Sequence, residues 1–335
     1  MSHDHPAPVI AVLGADGLLG EAMLAALAAD GLPAAQLIAL GGEDVEGERL
    51  AYGDAGLRVQ PAAGCDWSRI ALVIATDDAA LAAAQLPLAR RAGARVLDAS
   101  GWLAGEAPAP VAIAGHDDNR WRRADALVLP DAVTLALARV LMPLAALAGI
   151  GHVGLTVLRA ASEDGRAAVE ELAQQTIALL NARPSNPQIY PRRLAFNVLP
   201  EWQDLDAQGR GGGERRLDAG LEQVLGLAPG SVATTLLRVP LFYGLACVVH
   251  LRCTAALSPA AARERLLEVP GLEVLEADEA PVSPAEDGLG QPAVRVGGLR
   301  AAGERGLNLW VVADNVALPA SNGVQIAQTL IGTAE

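Results

Sequence analysis

Three glycines at intervals of three residues form the first chemical signal in this 335-residue chain. Gly14, Gly17 and Gly20 follow the apolar run at residues 9–13 and open an alanine-rich stretch typical of a helix. In such a strand–loop–helix unit, backbone N–H groups and the helix dipole face the loop and favour the pyrophosphate of a dinucleotide. A tight turn without ligand has the same pattern, and Asp16 places a carboxylate inside the loop, so both interpretations stay open.

An acidic stretch, GGEDVEGE at residues 41–48, follows the second apolar run. Its four carboxylates would repel the 2′-phosphate of NADP, whereas Glu43 or Asp44 could bond a ribose hydroxyl of NAD. A solvated acidic loop without ligand is the alternative interpretation. The stretch therefore disfavours NADP and leaves NAD possible.

Charge and composition exclude several classes of function. The chain has 25 basic and 39 acidic residues, a formal net charge of −14, and every basic residue is arginine. The absence of lysine excludes Schiff-base catalysis and a P-loop lysine. The acidic balance predicts no nucleic-acid partner. The apolar runs are shorter than the roughly 20 residues that span a bilayer, and the first residues lack a leader pattern, so we expect a cytoplasmic protein with no membrane association.

Cysteine and histidine spacing predicts neither a disulfide framework nor a metal site. Cys65, Cys247 and Cys253 are odd in number and lack CxxC spacing. His152 and His250 fall within predicted strands, where packing or a local partner explains them better than catalysis. The HDD segment at residues 116–118 is typical of a solvated turn, and His3 and His5 lie in a short tail that is at most a weak metal binder.

The spacing of the apolar runs predicts the elements that position these residues. Strands alternate with helices in the first part, which indicates a doubly wound parallel sheet of the Rossmann type. Strands are grouped in the second part, which indicates an α+β domain. We predict a dinucleotide-binding domain at residues 1–130, with a C-terminal helix at 320–335 packing back on it, and an α+β domain at 131–319. The predicted strands include 9–13, 36–40, 70–75, 95–97, 152–160 and 307–313, and the predicted helices include 21–29, 79–92, 132–147, 166–180 and 258–267.

Several segments together resemble the aspartate-semialdehyde dehydrogenase family, and the resemblance spans essentially the whole chain. They are AFNVLP at 195–200, VATTLLRVP at 232–240, ADN at 313–315 and GVQIA at 323–327. The chain is most similar to the catalytically degenerate, Usg-type members. The resemblance implies a Rossmann-type domain, a C-terminal catalytic-type and dimerisation domain, a homodimer, and NADP-dependent reduction of an aspartyl phosphate to its semialdehyde in amino-acid biosynthesis.

Both chemical groups of that reaction are missing from the matching positions. Active members carry a nucleophilic cysteine in an Asn-Pro-Asn-Cys-Ser/Thr-Thr stretch, and the matching LPDAVT at residues 129–134 has Ala132 instead. Their proton-carrying histidine follows Arg-Val-Pro-x-x-x-Gly, where this chain has Leu245. A methyl group forms no thioester, and an isobutyl group carries no proton.

The binding positions that the resemblance implies are partly kept. Arg238 survives as a ligand for an anionic substrate, while Arg159 stands where the family has Gln, ahead of a Ser-Gly-Ala-Gly turn that reads SEDG at 162–165. Ala104 replaces the arginine that holds the substrate phosphate, and the lysine of a Glu-Glu-x-Lys motif near 213–218 is absent. The cofactor site would comprise Gly14, Asp16, Gly17, Leu18, Leu19, Gly20, Asn315 and Gln325.

These observations predict a non-catalytic, dimeric paralogue that binds a nucleotide or a small anion, with NADP or NAD as the cofactor that the family implies. The alternative hypothesis is an NAD(P)-dependent oxidoreductase, either by the family reaction or by hydride transfer without a covalent intermediate. Hydride transfer needs only positioning and a proton donor or acceptor. Titration with NAD and NADP separates the two hypotheses.

Overall fold

The computed structural model describes residues 9–103, 109–116, 121–276 and 281–332. Ala104, His3, His5, and residues 117–118 of the HDD segment lie outside this part of the chain. The chain divides into two compact units. The first runs to Asp131 and resumes at Pro319, and the second runs from Ala132 to Leu318.

The elements are numbered in chain order. The strands are β1 (Val9–Leu13), β2 (Leu37–Gly41), β3 (Arg49–Tyr52), β4 (Ala55–Arg58), β5 (Gln60–Pro61), β6 (Ile70–Ala75), β7 (Arg95–Asp98), β8 (Ala126–Val128), β9 (Ile150–Arg159), β10 (Leu199–Pro200), β11 (Val232–Arg238), β12 (Leu245–Cys253), β13 (Leu272–Val274), β14 (Val294–Ala301) and β15 (Gly306–Ala313). The helices are α1 (Leu18–Ala29), α2 (Ala79–Arg91), α3 (Ala132–Ala148), α4 (Arg166–Leu180), α5 (Gly212–Leu225), α6 (Pro259–Leu267) and α7 (Ala317–Gly332).

The first unit is built on a parallel sheet, which confirms the predicted doubly wound fold. Among the described residues its strands lie in the order β5-β2-β1-β6-β7-β8, and all neighbours are parallel. The central strand β1 is apolar throughout because both faces of such a sheet are covered. Asp78 begins α2 by accepting a hydrogen bond from the Leu81 N–H at 2.8 Å, which satisfies a first-turn donor.

The end of the chain completes the core of the first unit. Val324, Ala327 and Leu330 of α7 are buried in the same apolar cluster as β1 and α1. Asn322, which is fully buried, accepts a hydrogen bond from the Ala114 N–H at 2.8 Å and donates one to the Ala112 carbonyl at 3.1 Å. These two bonds attach an otherwise irregular segment to α7.

The second unit carries a mixed sheet with the described strands in the order β10-β11-β9-β12-β15-β14-β13. Burial alternates along β11 and β12, as expected for a sheet with one covered face. The long apolar helix α3 contacts β9, β12 and β15, and 12 of its 17 residues are buried. None of the helices in the described part of the chain is long and apolar enough to cross a membrane.

Candidate functional site

Three residues singled out by the sequence lie side by side on neighbouring strands of the second sheet. Arg159, the last residue of β9, pairs in register with Arg238 of β11 on one side and with Leu245 of β12 on the other. Residues directly opposite each other project from the same face of a sheet. The fold therefore brings both arginines next to the position where the family resemblance expects a histidine.

The two positions expected to carry the chemistry hold buried apolar side chains. Leu245 is fully buried, and Ala132, the first residue of α3, is 4% exposed. A thiol at the start of a helix would have a lowered pKa, but a methyl group at Ala132 has no such chemistry. Neither side chain can exchange a proton or attack a carbonyl.

Arg238 is held by a carboxylate from a distant part of the chain. Its Nε donates to Oδ2 of Asp164 at 2.7 Å, and its Nη2 donates to Oδ1 at 2.8 Å. The Tyr190 hydroxyl donates to the same Oδ2 at 3.1 Å, and the guanidinium carbon lies 5.9 Å from the ring centre of Trp202. Sequence reasoning identified Arg238 but neither Tyr190 nor Trp202, because no motif links them to it.

Burial and the nearby carboxylates set the protonation of this cluster. Burial lowers the pKa of Arg238, but the hydrogen bond and charge of Asp164, with the charges of Glu163 and Glu201, raise it overall. Burial, followed by the charge of Asp164 and the hydrogen bond to it, raises the pKa of Tyr190. Both groups are therefore protonated donors at neutral pH.

Arg159 has a looser environment than Arg238. Its Nε lies 3.9 Å from Oε2 of Glu163, which is an ion pair but too long for a hydrogen bond. That Nε is buried and has no hydrogen-bond acceptor among the described residues. An anion that reached Arg159 would supply the missing acceptor.

Both acidic partners come from one short turn. Glu163 and Asp164 end the 3-10 turn Ala161–Asp164, and Gly165 follows at φ 90°, a conformation that favours glycine. The resembling family has Gly and Ala at the two acidic positions. The two extra carboxylates balance the charges of the two arginines.

Two buried polar residues of α4 position the irregular segment that carries Tyr190. Glu171 accepts hydrogen bonds through Oε2 from the backbone N–H groups of residues 188–189 at 2.8 and 2.6 Å. Gln175 accepts through its Oε1 from the N–H groups of residues 194–195 at 2.8 and 3.0 Å. These side chains of α4 thus satisfy backbone N–H groups of the segment that a neighbouring strand would otherwise satisfy.

Asn315, expected in the cofactor site, is engaged within the second unit. Its Oδ1 accepts a hydrogen bond from the Gly244 N–H at 2.7 Å, and its Nδ2 donates to the Ser162 hydroxyl at 2.9 Å. Asn315 therefore fixes the residue before Leu245 and the turn that carries Asp164.

The glycine loop has the backbone shape that the sequence predicts. The Gly17 N–H donates to the Gly14 carbonyl at 3.1 Å, and the Thr76 hydroxyl donates to the same carbonyl at 2.9 Å. Gly14 has φ +78°, and a Cβ on it would lie 2.5 Å from Oγ1 of Thr76. A Cβ on Gly20 would lie 2.2 Å from the Gly14 carbonyl oxygen. Close packing thus requires at least two of the three glycines.

The other residues expected in the first unit's cofactor site lie on two helices. Leu18 and Leu19 begin α1 and are half-buried, while Gln325 is exposed on α7, where its Nε2 donates to the Ser321 hydroxyl at 3.2 Å. Nothing in these contacts assigns them a ligand.

Carboxylates surround the loop in the first unit. A Cβ on Gly17 would lie 2.8 Å from Oδ1 of Asp77, and one on Gly41 would lie 2.9 Å from Oδ1 of Asp16. Burial raises the pKa of Asp16, and the charges of Asp44, Asp78 and Asp77 raise it further. The Asp16 carboxyl is thus already disfavoured as an anion before any phosphate approaches.

The side chains around the loop add negative charge where a dinucleotide pyrophosphate would lie. At roughly 6 Å and an effective dielectric constant of about 20, one carboxylate repels a unit negative charge by about 3 kcal/mol. Several such terms oppose the favourable N–H groups and dipole of α1. The backbone keeps the shape of a dinucleotide loop, and the nearby carboxylates oppose the charge of a pyrophosphate.

The described residues present no group of three or more His, Cys, Asp or Glu side chains that could hold a metal ion. His250 lies on the face opposite Leu245, and its Nδ1 is 2.8 Å from Oδ1 of Asn308. Burial raises the pKa of the Cys253 thiol, and Cys247 is fully buried.

A doubly wound parallel sheet with a glycine loop, together with a mixed sheet that carries the row of site residues, defines a dehydrogenase-like α/β protein. Residues 141–318 match the family model of the semialdehyde dehydrogenase dimerisation domain. The chain belongs to the semialdehyde dehydrogenase family, which confirms the resemblance inferred from the motifs.

Similar proteins cover nearly the whole chain. A USG-1 protein homolog of Pseudomonas aeruginosa is 34% identical over 96% of this chain and 97% of its own length. The structure of a probable aspartate-semialdehyde dehydrogenase from Pseudomonas aeruginosa is 34% identical with a TM-score of 0.91, covering 97% of this chain and 98% of that one. The crystal structure of aspartate semialdehyde dehydrogenase II from Vibrio cholerae is 28% identical with a TM-score of 0.92, covering 98% of this chain and 100% of that one.

Proposed function

We propose that this protein is a non-catalytic, homodimeric member of the family that binds a small anion and does not convert it. The observation that carries the proposal is the pair of buried apolar side chains, Ala132 and Leu245, at the positions of nucleophile and proton carrier. Thioester chemistry requires both groups. Without them, the family reaction has no first step.

Neighbouring side chains do not replace the missing groups. Cys247 shares the face of Leu245 but is fully buried, and His250 projects from the opposite face. Burial raises the pKa of the Cys253 thiol, which disfavours the reactive thiolate. No sulfur or imidazole is thus poised beside Arg159 in the part of the chain that the structure describes.

Arg159 supports the binding of an anion. Its side chain is 15% exposed, its Nε has no hydrogen-bond acceptor among the described residues, and Glu163 approaches no closer than 3.9 Å. A carboxylate or phosphate would form the charge-assisted bond that Glu163 does not. We expect a small anion such as a carboxylate, because Arg159 offers one partly buried guanidinium and Arg238 is already paired with Asp164.

The test is turnover by the pure protein. We expect no NADP-dependent or NAD-dependent oxidation of aspartate semialdehyde with phosphate, at a rate at least about 10⁴-fold below that of an active relative, because the nucleophile is absent. The double variant Ala132→Cys/Leu245→His is assayed in parallel. Turnover by the unaltered protein close to that of an active relative would overturn the proposal.

Calorimetric titration with NAD and NADP tests the alternative hypothesis, which is an oxidoreductase that transfers hydride without a covalent intermediate. We expect both to bind weakly, because the carboxylates of Asp16, Asp77 and Asp78 repel the phosphates. NADP should bind more weakly than NAD, because it carries one more phosphate. Tight binding of NAD would favour the oxidoreductase hypothesis.

The open face of the second sheet supports the homodimer. One central row on this face, formed by Thr235, Thr156, Val248 and Trp310, lies opposite the face that α3 covers. These side chains are exposed or half-buried, and a broad partly apolar sheet face of this kind favours burial against another surface. A second copy would pair the two faces by a two-fold axis.

Sedimentation equilibrium tests this assembly. We expect the mass of two 34.4 kDa chains for the unaltered protein and of one chain for Thr156→Arg, which places a charge in the centre of the face. Gln174→Arg, on the exposed side of α4, is the matched control and should remain dimeric. A monomeric unaltered protein, or a dimer that Thr156→Arg leaves intact, would contradict this prediction.

A further inference from the structure

The contact between Arg238 and Asp164 has the geometry of a bound ligand. Two parallel N–H···O bonds of 2.7 and 2.8 Å join one edge of the guanidinium to both carboxylate oxygens. Arginine binds the carboxylate of a small molecule by this same two-bond arrangement. We propose that Asp164 is an internal ligand that fills a carboxylate-binding site on Arg238, so that the site becomes available to free carboxylates only when Asp164 is removed.

The remainder of this site does not depend on Asp164. Arg238 comes from β11, Tyr190 from the segment attached to α4, and Trp202 from the region after β10. The Tyr190 ring meets the Trp202 ring edge to face at 5.9 Å, and Trp202 lies beside the guanidinium. Two donors and an aromatic wall therefore stay in place when the carboxylate is removed.

Exposure shows from which side a free ligand would enter. The side chain of Asp164 is 18% exposed, whereas that of Arg238 is 7% exposed. Asp164 is thus the more exposed member of the pair, and we expect a free ligand to approach from its side. Shortening Asp164 to alanine, the residue that the resembling family has in this turn, opens a path to Arg238 and leaves its buried charge without a partner.

The charges of the neighbourhood favour an incoming carboxylate in that variant. Arg159 and Glu163 form their own pair, and Asp164 balances Arg238. Removing Asp164 leaves one uncompensated positive charge beside the Tyr190 hydroxyl, whose pKa is still raised by burial, so that the hydroxyl remains a donor. An acceptor-only, singly charged group suits both donors.

The experiment is calorimetric titration of Asp164→Ala with acetate and succinate at constant ionic strength. We expect the variant to bind at least about tenfold more tightly than the unaltered protein. The double variant Asp164→Ala/Arg238→Met should lose this gain, since the cation is gone. Glu268→Ala, which removes the partner of surface Arg265, is the matched control and should gain no affinity.

Melting temperatures measured in acetate and in chloride provide a second test, which remains usable if a variant folds poorly. Acetate should raise the melting temperature of Asp164→Ala and of Asp164→Asn by more than that of the unaltered protein, in which Arg238 is already paired, because a ligand of the folded state stabilises it. The proposal is overturned if acetate has no specific effect on either variant, or if the unaltered protein binds acetate equally well. These outcomes are independent of the turnover assay, so this inference and the non-catalytic assignment fail separately.

Discussion

Arg238→Met is expected to lower the free energy of unfolding by about 3 to 5 kcal/mol, because it leaves the Asp164 carboxylate without its charged partner. Methionine approximates the volume of the arginine stem, so little cavity forms. Among the described residues, Asp164 would keep only the Tyr190 hydroxyl as a side-chain donor, at 3.1 Å. Urea-induced unfolding, monitored by circular dichroism, measures the change.

Two further variants isolate the cause of this loss. Arg265→Met removes an arginine whose side chain is 42% exposed and whose partner Glu268 is 61% exposed, and we expect a change of at most about 1 kcal/mol. Asp164→Ala/Arg238→Met removes both charges and should regain part of the stability that Arg238→Met loses. A change below about 1 kcal/mol for Arg238→Met would show that the pair is effectively solvated.

Gly20→Ala is expected to destabilise the protein by about 3 kcal/mol, since overpacked positions cost this much when the neighbours cannot move. The added Cβ would lie 2.2 Å from the Gly14 carbonyl oxygen and 2.7 Å from the Ala15 backbone. Both contacts are to backbone atoms between β1 and α1, so relief requires a shift of the helix against the sheet.

Gly332→Ala is the matched control. It lies at the end of α7, where an added Cβ meets nothing within 4 Å, and the substitution should be neutral or slightly stabilising. Unfolding of Gly20→Ala at the same urea concentration as the unaltered protein would contradict the conclusion that the loop is closely packed at Gly20. The expected result means that the third glycine is needed with or without a dinucleotide, so the motif alone does not indicate binding.

Local signals predicted most of the regular elements. The strands at 9–13 and 70–75 and the helix at 166–180 have the bounds that the sequence predicted, because continuous apolar runs and helical periodicity are properties of the segment itself. The hairpin of β3 and β4 was not predicted. Residues of β4 are mostly exposed, so they lack a buried apolar pattern.

Strand β14 was also not predicted, since Gly297 and Gly298 interrupt it at a shift of register against β15. Strand β13 has three residues and, within the described part of the chain, pairs with β14 alone. Such edge elements form because the neighbouring strand supplies hydrogen bonds, which the segment does not encode by itself.

The proposal that Ala132 and Leu245 stand at the positions of nucleophile and proton carrier came from the sequence alone, because the identity of a side chain is independent of its surroundings. The ion pair of Arg238 with Asp164 could not be inferred in this way. Its partner Asp164 lies 74 residues earlier in the chain, and only the register of β11 against β9 brings the turn after β9 to the guanidinium. The sequence by itself determined which side chains occupy the positions compared with the family, and the tertiary structure decided that Arg238 is already paired with Asp164, since ion pairing depends on distance in space.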